Sequence, residues 1–192
     1  SLWKQNKSGG RRTAAVFIAD TSGSMKGEPL ASLQESVVAA LPYIGSENYV
    51  GLVSYNTDVT VNLSMLEEDG NGKVVGVKPF DDRQRAYFSG EMKNLQAAGS
   101  TSTYDAVLVG LDMINKAQEI DPDVVPIIVL LTDGQAQSGY SLSRITSIVE
   151  GMRVPVYCIA YNYDSGGELE TLAGINEAST VKASGRRSWR TK

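Results

Sequence analysis

Histidine is absent from this 192-residue chain. That removes the commonest general base, the base of the usual catalytic triad and the usual zinc ligand in one observation. Cysteine occurs once, as Cys158 within VPVYCIAY. A single thiol makes no internal disulfide, and this one reads as a small core residue of a buried strand. No apolar run approaches the ~18 residues of a membrane-spanning helix, so no direct membrane insertion is expected. The amino-terminal SLWKQNKSGGRRT lacks the apolar stretch of a signal peptide. Neither Gly-x-x-x-x-Gly-Lys nor Gly-x-Gly-x-x-Gly occurs, which leaves nucleotide chemistry without its phosphate-cradling loop.

What the chain does have is a segregated charge. Basic residues crowd the ends: Lys4, Lys7, Arg11 and Arg12 at the start, and Lys182, Arg186, Arg187, Arg190 and Lys192 at the finish. Between positions 13 and 181 the remaining nine basic residues face all 22 acidic ones. Such a body repels phosphate backbones and attracts cations, so nucleic acid is not the expected partner. The short basic ends lack a helical period and read as solvated tails.

Three apolar runs are nearly continuous rather than alternating: AAVFIA (14–19), VVPIIVLL (124–131) and VPVYCIA (154–160). That pattern suits strands covered on both faces in a parallel sheet. Helical segments lie between them. Residues 28–44 begin with Pro29 in the first turn, residues 102–120 open with Ser102 and Asp105 at capping-box spacing, and residues 141–153 end in Gly151 and Arg153. A further helix is expected over 83–97 and a last strand over 179–184. YVGLVSYN (49–56) and DVTVNLSM (58–65) alternate more and read as a hairpin at a sheet edge, with 66–77 as an exposed excursion. The expected fold is α/β: a doubly wound, Rossmann-like, mostly parallel central sheet with one antiparallel edge strand and helices on both faces.

Ligands of open parallel sheets collect at the carboxyl ends of strands, where the strand order reverses. The first strand runs into Asp20, Ser22 and Ser24, three oxygen side chains at alternate positions. The central strand ends at Asp133 in VLLTDGQ, and the GSTST loop brings Thr101 or Thr103 to the same rim. All are hard oxygen donors, which select Mg²⁺, Mn²⁺ or Ca²⁺ over zinc or copper. Each fragment also has a plainer reading. Ser22 or Ser24 would cap the helix at 28, and Asp133 before Gly134 would be a turn.

DTSGSM, then GST, then LTDG resembles the three-part metal-ion-dependent adhesion site (MIDAS) of von Willebrand factor type A (vWA) domains. The similarity extends over residues 13–184. Carried across, it implies a metal site of Asp20, Ser22, Ser24, Thr101 and Asp133, Thr101 being preferred because GST resembles the family's Gly-Gly-Thr. The resemblance further implies a divalent-cation-dependent protein-binding module, in which the bound Mg²⁺, Mn²⁺ or Ca²⁺ coordinates an Asp or Glu carboxylate of a partner. The expected organisation is a basic tail over 1–12, a vWA-like domain over 13–184, and a basic tail over 185–192 that reads as truncated or non-native, because the family's final helix has no counterpart there. By analogy with adhesion members the domain belongs on the extracytoplasmic face, although the family occurs inside cells as well.

Two other classes are open at this point. One is a subunit or scaffold domain of a larger assembly such as an ATPase or chelatase complex. The other is a magnesium-dependent phosphohydrolase. The loop after the first strand is similar to that of haloacid dehalogenase phosphatases, but their second Asp, two residues on, is Ser22 here. With no histidine and no identifiable general-base pair, an enzyme is not expected. EEDGNGK (67–73) looks like the front of a calcium loop but lacks the later Glu and reads as a reverse turn. Tyr161, Asn162, Tyr163 and Asp164 belong to a loop on the same rim, the two tyrosines being candidate partner contacts.

Overall fold

The computed structural model describes residues 11–134, 136–161, 167–178 and 180–183. Its frame is a six-stranded sheet. The strands are β1 (Thr13–Asp20), β2 (Tyr49–Tyr55), β3 (Val59–Leu63), β6 (Val125–Thr132), β7 (Val156–Tyr161) and β8 (Thr180–Ala183), in the order β3-β2-β1-β6-β7-β8. Every pairing is parallel except β2 with β3, so the expected antiparallel edge strand is β3. Residues 66–77 are more ordered than an excursion. β4 (Leu66–Glu68) and β5 (Val74–Val77) form a separate antiparallel pair, with Asp69 accepting from the backbone N–H groups of Asn71 and Lys73 in the turn between them.

The continuous apolar strands are explained by two cores. Ala14, Val16 and Ile18 of β1 point to one face, and Ala15, Phe17 and Ala19 to the other. The first face is covered by α3 (Thr103–Ile120), α4 (Leu142–Met152) and α5 (Glu168–Gly174). The second is covered by α1 (Glu28–Ala40) and α2 (Asp82–Lys93). Gly110 lets α3 lie close to the sheet, since a Cβ there would meet Ile18 Cδ1 at 3.0 Å. On the other face Phe88 makes edge-to-face contacts with Phe17 and Phe80, at centroid separations of 5.5 and 6.0 Å.

Several helix boundaries move from their expected places for identifiable reasons. α1 stops at Ala40, and Leu41–Tyr43, carrying Pro42, tightens into a 3₁₀ turn. α2 begins at Asp82 because Asp81 caps it, its carboxylate accepting from Gln84 N at 2.9 Å. The expected capping box at α3 is not made. Ser102 Oγ donates instead to Thr57 O, and Asp105 accepts from Tyr140 N. α4 ends as expected at Arg153, whose φ of 54° places it in the left-handed region. α5 has no counterpart in the sequence reading.

Chain order sets the location of a crevice. After β1 the chain moves outward through β2 and β3; it then returns through α3 to β6 and moves outward the other way. The reversal lies between β1 and β6, so their carboxyl ends diverge at the switch point where doubly wound sheets bind ligands.

Candidate metal centre

Asp20 is the last residue of β1 and is fully buried. An ionised carboxylate in that position is costly unless it is hydrogen-bonded or paired. Its two oxygens are held from different sides: Ser22 N donates to Oδ1 at 2.8 Å, and Thr132 Oγ1 donates to Oδ2 at 2.6 Å. The register of β1 on β6 aligns Ala19 with Leu131, which makes Thr132 the neighbour of Asp20 across the switch point.

The loop after Asp20 curls through a 3₁₀ turn, Gly23–Met25, anchored by the fully buried Met25. Ser22 is buried and Ser24 exposed, yet their hydroxyls lie 3.2 Å apart, and Ser24 Oγ donates to Asp133 Oδ1 at 2.9 Å. A hydroxyl chain therefore runs from the β1 loop to the β6 loop. Neither serine caps the following helix, whose N-cap is Gly27. Asp133 is more than a turn residue. Burial pushes its carboxyl pKa up, Asp20 adds to the rise, and the Ser24 hydrogen bond opposes both.

The third segment is tied to the other two through its backbone. Gly23 N donates to Gly99 O at 2.9 Å, and Ala98 N donates to Thr21 O at 2.9 Å. Gly99 adopts φ 82°, a conformation that favours glycine. Thr101 is buried, and its carbonyl accepts from Gln137 N at 2.9 Å, joining the segment to the loop that follows Asp133. Thr103, the other candidate in this segment, turns inward and donates to the hydroxyl of Tyr55 at 3.2 Å. Tyr55 is a fully buried phenol whose pKa lies well above its ordinary value, first through burial and then through the nearby Asp20 charge.

Asp20, Ser22, Ser24 and Asp133 are thus joined in one network, with Thr101 on a segment bonded to both flanking loops. Among the described residues neither carboxylate has a Lys or Arg partner. Nor do three or more Asp, Glu, His or Cys side chains gather at one place among them, so a cation held here would draw on hydroxyls beside its two carboxylates. That donor set fits Mg²⁺, Mn²⁺ or Ca²⁺. Thr132 and Tyr55 were not anticipated. The available signal was a polar residue closing an apolar strand one position before the expected ligand. Of the other candidate rim residues, Tyr161 is buried in the second core, with its hydroxyl 3.3 Å from Ser36 Oγ, and is not a surface contact. Asn162, Tyr163 and Asp164 lie outside the described residues.

The class these features define is a doubly wound α/β domain with an oxygen-lined crevice at the switch point of its sheet. The chain belongs to the von Willebrand factor type A domain family, whose pattern matches residues 15–187. Inter-alpha-trypsin inhibitor heavy chain H3 of Mus musculus is 30% identical over 82% of this chain, and heavy chain H4 of Homo sapiens is 28% identical over 82%. The chain spans 17% of the length of each. Among solved structures, a von Willebrand factor type A protein from Catenulispora acidiphila superposes with a TM-score of 0.78 at 19% identity, covering 93% of this chain and 40% of that one. Proximal thread matrix protein 1 of the mussel byssus, described with a zinc-occupied MIDAS motif, gives a TM-score of 0.62 at 18% identity over 91% of this chain and 42% of its own. Von Willebrand factor type A domains are a family of protein-interaction and adhesion modules. No helix among the described residues is long and apolar enough to cross a membrane.

Proposed function

We propose that this domain binds one divalent cation, Mg²⁺ or Mn²⁺ or Ca²⁺, through Asp20, Ser22, Ser24, Thr101 and Asp133, and through that ion an acidic side chain of a protein partner. The observation that carries the reading is the pair of neighbouring carboxylates, one fully buried, with no basic partner among the described residues. A site of that kind is electrostatically unsatisfied until a cation enters. The hydroxyls of Ser22, Ser24 and Thr101 would serve as neutral donors, leaving the ion enough positive character to attract an outside carboxylate. The mussel protein of the same fold, described with a zinc-occupied MIDAS motif, is in keeping with a metal-binding role for such a motif.

Titration calorimetry with Mg²⁺ and Mn²⁺ on the wild-type chain and on Asp20→Ala tests the reading. The expected result is one ion per chain, lost in the variant. A second titration then adds an aspartate-containing peptide and its asparagine counterpart to the metal-loaded chain, and only the acidic peptide should bind. A wild type that takes up no ion, with or without acidic peptide, overturns the proposal.

A further inference from the structure

We propose that Thr132 is the positioning residue of this centre: its hydroxyl orients the Asp20 carboxylate, and through Gly134 the segment carrying Asp133, into the arrangement a cation needs. This inference rests on the metal reading above and extends it to a residue outside the expected ligand set.

A threonine hydroxyl has one proton to give. Thr132 Oγ1 lies 2.6 Å from Asp20 Oδ2 and 3.2 Å from the Gly134 carbonyl, so the shorter, charged contact takes the proton. The lone pairs of the same oxygen are then free to accept, and Gly134 N donates to it at 3.2 Å. One fully buried oxygen atom therefore touches the Asp20 carboxylate and the backbone immediately after Asp133. The second Asp20 oxygen is fixed by Ser22 N at 2.8 Å, so the two donors together stop the carboxylate from rotating. Each Asp20 oxygen keeps a lone pair for a cation or its water.

A space-filling role does not account for this contact. Thr132 closes the run VPIIVLLT and is the only hydroxyl in β6. Valine has the same branching and would fill the position equally well. What valine lacks is the donor, and without it Asp20 Oδ2 would lose its protein partner inside the fold. Outer partners that orient metal-binding carboxylates typically carry about a 10- to 100-fold effect on metal affinity.

The test is Mn²⁺ binding by the full chain, followed by calorimetry and by the electron paramagnetic resonance signal of free and bound ion. The set is wild type, Thr132→Val, Thr132→Ser and Asp20→Ala, each also unfolded thermally in chelator. Thr132→Val should bind Mn²⁺ at least about tenfold more weakly and alter the bound-ion spectrum, while Thr132→Ser, which keeps the donor, should bind as wild type does. A purely structural role would lower the melting temperature in chelator and leave both the affinity of the folded protein and the spectrum alone. If wild type binds and Thr132→Val binds within about twofold of it, the positioning role is overturned and the metal site stands. If wild type itself binds no Mn²⁺, both fall. Should Thr132→Val fail to fold, Thr132→Ser decides: wild-type affinity supports the role, and a tenfold loss overturns it.

Discussion

Truncating Phe88 to alanine tests the packing that seats β1. Phe88 is fully buried on α2, and its ring meets Phe17 of β1 edge-on at 5.5 Å and Phe80 at 6.0 Å. A core Phe→Ala change costs about 3–5 kcal/mol, and each edge-to-face pair contributes roughly 0.5–1.5 kcal/mol beyond area burial. With two such pairs lost the expected cost lies in the upper half of that range, about 4 kcal/mol. Against a typical domain stability of roughly 5–15 kcal/mol, that is a large fraction. At a urea dependence of about 2 kcal/mol per molar, the midpoint should fall by roughly 2 M. Tyr87→Ala, one residue earlier on the same helix, is the control. Its ring is half exposed with Arg83 above it at 5.8 Å, so its loss should cost only about 0.5 kcal/mol. Asp20 is anchored by Ser22 and Thr132, neither of which belongs to α2, so the folded fraction of Phe88→Ala should keep its cation affinity. A Phe88→Ala cost below about 1.5 kcal/mol, or equal costs at positions 87 and 88, would refute the reasoning.

Gly99→Ala should destabilise the domain by about 1–2 kcal/mol, seen in thermal melts, because the position has φ 82° and a Cβ there would sit 2.9 Å from Thr57 Oγ1. Arg12 hydrogen-bonds and ion-pairs with Asp121 at 2.7 Å, which, helped by Tyr49, holds the Asp121 carboxyl below its ordinary value. A depressed acid contributes stability that is present above its unfolded value and lost as pH falls through the folded one. Arg12→Ala should therefore remove part of the stability above the ordinary Asp range, and denaturant midpoints of the two proteins should converge on acidification. Cys158 is buried with its thiol pushed up to about 12, so native protein at pH 8 should react negligibly with a thiol reagent while the urea-unfolded chain titrates one thiol. Asp133→Asn should abolish Mn²⁺ binding yet be no less stable in chelator than wild type near neutral pH, because the carboxylate it neutralises is disfavoured by burial and by Asp20.

Much of the frame was legible because central parallel strands must be apolar on both faces, as AAVFIA shows. The antiparallel edge was legible because DVTVNLSM, which contains β3, alternates polar and apolar residues, whereas β2 is buried from Val50 to Tyr55. The order of strands was not, and the position of the crevice depends on it. The β4–β5 pair escaped notice because strands of three and four residues, with Leu66 alone buried among them, carry little periodic signal. α5 is only seven residues long, under the length at which a helical period declares itself. The capping box failed because tertiary partners outbid the local ones, Thr57 for Ser102 and Tyr140 for Asp105. At the rim, residue type and spacing singled out Asp20, Ser22, Ser24 and Asp133, which the structure joins in one hydrogen-bond network. Thr132 left only a faint local trace, a polar residue closing an apolar strand, because its contact with Asp20 depends on the register of β1 against β6.

The three rim segments are stitched to one another by main-chain bonds: Gly23 to Gly99, Thr21 to Ala98, Thr101 to Gln137. Such bonds use no side-chain atom, although the φ of 82° at Gly99 keeps that one position to glycine. The scaffold can thus keep its loops in register while the chemistry at their tips is exchanged, a hydroxyl for a carboxylate at position 24, for example. Evolution, or an engineer, is offered a socket whose mounting is separate from its contacts, so under the proposed metal reading new ion preferences or partners are reachable by single substitutions without rebuilding the fold.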